Sequence, residues 1–160
     1  MSQAVLEPMQ LTNSAQRSRC ARIGAGAAAL AMAVVVYGTY GDSHASSSQK
    51  SGMPFLLVVV AVLAAVVYGF VAPTALRAVG NGSTSARRWA VGLAIVSVLS
   101  LAVFWSGLPI LVGGAAALVG HSGRSLPRSS RAYAAAWWIG LSAASLSVVV
   151  TILGNTVAGH

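Results

Sequence analysis

The side chains that could carry chemistry are few and poorly spaced for it. The histidines are His44, His121 and His160. They fall in separate connections or at the terminus, without the spacing of metal ligands. His44 can meet Asp42, but two ligands make no zinc site. Glu7 and Asp42 are the only acids, and they lie far apart on opposite predicted sides, so they do not form the paired carboxylates of a glycosidase. Serines are abundant, yet no nucleophile elbow or carboxylate partner completes a triad, and no phosphate-binding loop is present. The single cysteine, Cys20, excludes an intramolecular disulfide and any multi-thiolate cluster. No catalytic residue, cofactor ligand or metal ligand is nominated, and the chain is expected to be no enzyme and to carry no cofactor.

The elements that would position such groups point to a membrane. Hydrophobic residues make up 56% of the 160-residue chain and charged residues 8%, with mean hydropathy +0.77. A soluble domain carries roughly 25% charged residues, so this chain lacks the polar side chains to cover a wetted surface. Five apolar segments are predicted, at 23–40, 54–72, 89–105, about 109–120 and 132–153. An apolar strand alone in hydrocarbon leaves its backbone unpaired, whereas a helix satisfies it internally. The expectation is an all-α, polytopic transmembrane bundle of five segments, the fourth one short. Residues 1–22 read as a basic, loosely ordered cytoplasmic tail, 23–153 as the transmembrane domain and 154–160 as a short polar tail. Pro54 suits the first turn of segment two, and Pro73 closes it.

The break between segments three and four rests on length. Residues 89–120 as one helix would span about 48 Å at ~1.5 Å per residue, against a hydrocarbon core near 30 Å. Gly107 and Pro109 supply the interruption, since Pro109 removes a donor and biases Leu108 away from helix. Charge supports the same division. Net charge is +8, and the arginines form three clusters: Arg17, Arg19 and Arg22; Arg77, Arg87 and Arg88; Arg124, Arg128 and Arg131. Five crossings with the N-terminus inside put nine of the ten basic residues on the cytoplasmic side. The C-terminus is then extracytoplasmic. Such clusters can touch anionic lipid headgroups, and beside apolar segments they do not imply nucleic acid. Charge fixes the side of each connection better than the depth that segment four reaches.

A cleaved secretory signal is the rival reading of segment one, with Ser43-His44-Ala45 as its site. The long apolar run and the close approach of segment two favour a retained helix. Asn81-Gly-Ser83 fits a glycosylation acceptor formally, on the predicted cytoplasmic side.

Lipid is as apolar as leucine, so helix association must come from close packing and occasional hydrogen bonds. Ala136, Gly140 and Ala144 repeat at four-residue spacing on the last segment, with shorter versions at Gly113/Ala117 and Gly24/Ala28. Ser97 and Ser100, and Ser142 and Ser145, can bond neighbouring helices or their own backbone. A weak internal match pairs Trp89-x-x-Gly92-Leu93-x-x-x-Ser97 with Trp137-x-x-Gly140-Leu141-x-x-x-Ser145.

No ionisable group lies inside the five segments, which argues against proton coupling, carboxylate ion coupling and voltage sensing. Backbone carbonyls can still bind an ion, so transport stays open. Arginine exceeds lysine nine to one and alanine is abundant, as in high-GC bacterial genomes. The stretch Trp89–Leu153, with its FWSGLPILVGGAAALVG centre, Ser122-Gly123-Arg124 connection and AAAWWIGLSAASLSVVVTIL helix, resembles small actinobacterial multi-pass membrane proteins. That resemblance implies a bacterial inner-membrane location and no activity. The functional expectation is a structural or accessory component of a membrane complex, in contact with lipids and with a homo-oligomeric or membrane-protein partner. The alternative is a small oligomeric transporter or channel.

Overall fold

A backbone withdrawn from water closes its hydrogen bonds locally, and every regular element among the described residues is a helix. The computed structural model describes residues 6–41, 46–81, 84–124 and 130–158. In chain order these form α1 (Leu6–Tyr40), α2 (Ser47–Val66), a π-helical turn (Val67–Val71), α3 (Ala72–Gly80), α4 (Thr84–Ser100), a 3₁₀ turn (Leu101–Ser106), α5 (Leu108–Gly123) and α6 (Ser130–Ala158). Four stretches are long and apolar enough to cross a membrane: Ser14–Tyr40, Lys50–Gly80, Ser85–Ser106 and Arg131–Val157. The apolar helix Leu108–Gly123 is shorter. The protein is therefore an all-α, multi-pass membrane bundle with a short fourth segment.

Several boundaries differ from expectation. Residues 6–22 belong to α1 rather than to a loose tail. Pro8 falls in the first turn, where its missing N–H leaves no bond unmade, and from Met9 to Arg22 there is no glycine or proline to stop the helix. At the other end, α6 continues through Gly154 to Ala158. The second segment begins before Pro54, which lies inside α2, and runs past Pro73. The physical device at Pro73 is the widened turn just before it. Ala72 N–H reaches back five residues to the Val67 carbonyl, so the helix ladder is already shifted where the proline withholds its donor. Pro73 then sits in the first turn of α3, a position proline tolerates.

The break between α4 and α5 has a defined geometry. Val103 leaves helical space at φ −123°, ψ 44°, and Gly107 adopts the left-handed φ of 72°. Gly107 then caps α5: its carbonyl accepts from Ile110 N at 3.2 Å and Leu111 N at 3.3 Å. Pro109 occupies the first turn of α5.

α5 is the inner element. Twelve of its 16 residues are buried, whereas the four longer spans bury 22–28% of their apolar windows. At ~1.5 Å per residue it is about 24 Å long, and the longer helices surround it. Its first residues lie beside Ala31 of α1, and its last beside Tyr133 of α6. α1 and α6 approach each other again near their C-terminal ends, where Asn155 Nδ2 donates to the Tyr37 carbonyl at 3.0 Å.

The α5–α6 seam is made by glycine. A Cβ on Gly113 would lie 2.5 Å from the Gly140 carbonyl oxygen, and one on Gly120 would lie 2.6 Å from both Trp137 N and the Tyr133 carbonyl oxygen. Backbone thus meets backbone, which is how dispersion becomes large enough to hold helices in lipid. Ala136 is also buried, and Ala144 Cβ lies against Gly113. The internal match does not occupy equivalent environments. Gly140 is packed while Gly92 faces open space, and Ser97 is buried while Ser145 is exposed.

Candidate functional site

Small side chains that let helices touch also let them stand apart around a void. α1 presents Ala21, Gly24, Ala25 and Ala28 along one face. Opposite them, the junction of α2 and α3 presents Ala64, Ala65, Tyr68 and Gly69, and the two walls enclose a cleft of about 800 Å³. Arg17 from α1 and Arg77 from α3 line the same cleft. The antiparallel course of the two helices brings together arginines that are distant in sequence.

Tyr68 forms the inner wall. It lies in the π-helical turn and is buried. Its hydroxyl donates to the Leu111 carbonyl of α5 at 3.1 Å. A Cβ on Gly24 would lie 2.6 Å from Tyr68 Cβ and Cγ, and a Cβ on Gly114 would collide with the Tyr68 hydroxyl. The ring is held between two glycines, and it separates the cleft from the axial helix. Thr74, also lining the cleft, spends its hydroxyl on the Phe70 carbonyl at 2.7 Å. The two guanidinium groups therefore carry the cleft's capacity to hold a charged ligand. With Glu7 and Asp42 the only acids against ten basic residues, the chain has too few carboxylates to neutralise its arginines.

Among the described residues, the other topology arginines do not line this cleft. Arg19 and Arg22 are exposed on α1, Arg87 and Arg88 near the start of α4, and Arg131 near the start of α6. Arg124 follows α5 and stacks over the Trp137 ring at 4.3 Å from its centroid, a cation–π contact linking the ends of α5 and α6. Arg128 lies outside the described residues, as do His44, Asp42 and the Gly82-Ser83 pair of the glycosylation triplet. His121 is exposed in the last turn of α5.

A second polar feature runs between α4 and α6. Ser147 Oγ donates to the Phe104 carbonyl at 3.0 Å, Thr151 Oγ1 to Ser147 O at 2.8 Å, and Ser100 Oγ to Ser97 O at 2.7 Å. Ser97 Oγ is buried without a hydrogen-bond partner, next to Gly113. Between α4 and α6 there is also an apolar groove of about 330 Å³, lined by residues such as Ile95, Val98 and Ile139. Among the described residues, no group of three or more His, Cys, Asp or Glu side chains stands close enough to hold a metal ion.

No family model, curated protein or solved structure matches this chain.

Proposed function

We propose that the chain is a small transport protein of a bacterial inner membrane, with the α1/α2–α3 cleft as its solute chamber. The observation that carries this reading is Tyr68. It stands in an interrupted stretch of one helix, bonds the backbone of a second interrupted hairpin, and forms the wall between cleft and bundle axis. Broken and shortened membrane helices are where carriers build their binding sites, and π-turns recur at functional positions. No ionisable residue inside the bundle is required, because the two arginines stand at the cleft itself. The accessory role in a larger complex draws its support from the apolar α4/α6 groove, which offers a surface for lipid chains or a transmembrane helix.

Reconstitution tests the transport reading. Vesicles containing the purified chain should show protein-dependent release of carboxyfluorescein, or protein-dependent exposure of a fluorescent anionic phospholipid to external dithionite. Gly69→Leu should reduce it. Gly69 lines the cleft, yet its Cβ would meet nothing within 4 Å, so leucine narrows the chamber without breaking a contact. Correctly inserted chain that moves neither probe would leave the accessory role as the better reading.

Orientation follows the arginines. Reporters after residues 47, 82, 107, 126 and 160 should read out, in, out, in, out, with both the N-terminus and the cleft mouth cytoplasmic. Equal accessibility at 107 and 126 would show that the short fourth segment does not cross.

A further inference from the structure

We infer that the cleft between α1 and α3 binds an anionic amphiphile, a phosphate head on an acyl tail. The assignment rests on the cleft as the chamber of the transport reading and names its substrate class. The head belongs between Arg17 and Arg77, which line the cleft together. Both are exposed, and guanidinium groups match phosphate oxygens with paired donors. Two like charges held at one cleft favour a counter-ion there. The other lining groups specify the tail. Ala25, Ala28, Ala65 and Phe70 offer apolar surface, and the hydroxyls of Tyr68 and Thr74 are already engaged with the Leu111 and Phe70 carbonyls. A wholly polar anion would leave that surface uncovered, and a neutral lipid would leave the guanidinium pair unmatched. The cleft volume of about 800 Å³ falls within the range of small-molecule sites.

The same chemistry is available from a two-chain bilayer phospholipid or from a free single-chain lysophospholipid. Binding of fluorescent lysophosphatidic acid to the full chain in uncharged detergent distinguishes them. The probe should bind saturably, and a fluorescent monoacylglycerol should bind at least tenfold more weakly. Displacement by dioleoyl phosphatidic acid assigns the site to a bilayer lipid. Displacement by unlabelled lysophosphatidic acid alone assigns it to the free amphiphile. Both results support the inference. Arg17→Gln and Arg77→Gln should each weaken binding about fivefold to tenfold, and Gly69→Leu, which narrows the cleft, should weaken it as well. Arg87→Gln with Arg88→Gln, a pair away from the cleft, should leave it unchanged. Unaltered binding in the Arg17 and Arg77 variants, or equal loss in the Arg87/Arg88 variant, would overturn the assignment, because attraction would then follow total charge. A circular-dichroism melt of each variant shows that the chain remains folded. Binding without vesicle flux defeats transport and leaves the site standing. Flux that is indifferent to Arg17 and Arg77 does the reverse.

Discussion

Gly140→Leu is expected to cause a large loss of stability. A Cβ at this position would overlap the Gly113 carbonyl oxygen, lie 2.8 Å from the Ala117 nitrogen and 3.0 Å from Ala116 Cβ. The first two obstacles are backbone, so no rotamer change relieves them. The helices must move apart, and separation also loosens Gly120, seated against the backbone of Tyr133 and Trp137. Overpacking of a close contact costs about 1–3 kcal/mol when side chains can adjust. Here they cannot, and a loss of about 3 kcal/mol or more is expected. Gly140→Ala should show much of it, since the clash begins at Cβ. Gly92→Leu is the control, because a Cβ there meets nothing within 4 Å, and its effect should stay within about 0.5 kcal/mol. Thermal unfolding in detergent, followed by tryptophan fluorescence, measures all three. A Gly140→Leu protein that melts with the unsubstituted chain would show that α5 and α6 do not pack backbone to backbone.

The same seam shows how far sequence reasoning reaches. Apolar runs bounded by arginine and proline identify membrane helices because lipid leaves the backbone no other way to satisfy itself. Length alone forces a break somewhere in 89–120, and Gly107 and Pro109 mark where the chain can make it. The depth of α5 in the bundle is less accessible. A glycine-rich segment announces that something comes close without naming its neighbour, and Gly113 and Gly140 become partners only through tertiary packing. Helix ends depart from the sequence expectation for a related reason. Residues 6–22 are mostly polar, yet they are continuous with an apolar helix and carry no glycine or proline after Pro8, so propagation carries the helix outward once it is nucleated. The candidate cleft was the least legible feature. Arg17 and Arg77 read as topology signals, and nothing local to Tyr68 reveals a hydroxyl partner 43 positions away. Gly69 and Pro73 are the only local trace of the π-turn, and they read equally well as a helix end.

Gly107→Ala is the second large expected effect, and it separates two costs that coincide at one residue. With φ at +72°, any L-residue with a Cβ is strained by about 1–2 kcal/mol. Independently, that Cβ would sit 3.0 Å from Ala31 Cβ and 3.2 Å from the Ala31 carbonyl oxygen. The combined loss should be about 2–3 kcal/mol, felt at the turn that returns the chain from α4 into the bundle centre. Ala31→Gly removes the methyl half of the contact but none of the backbone strain. In a double-mutant cycle, Ala31→Gly should therefore recover part of the Gly107→Ala loss and no more. Gly107→Asn should lose less to backbone conformation, because asparagine tolerates the left-handed region, while still meeting Ala31. Detergent melts of the four proteins of the cycle read the coupling directly. Full recovery would mean that the turn accepts a Cβ at positive φ. Zero coupling would mean that the α4–α5 turn is not pressed against α1, and the short helix would lose the contact that fixes its N-terminal end.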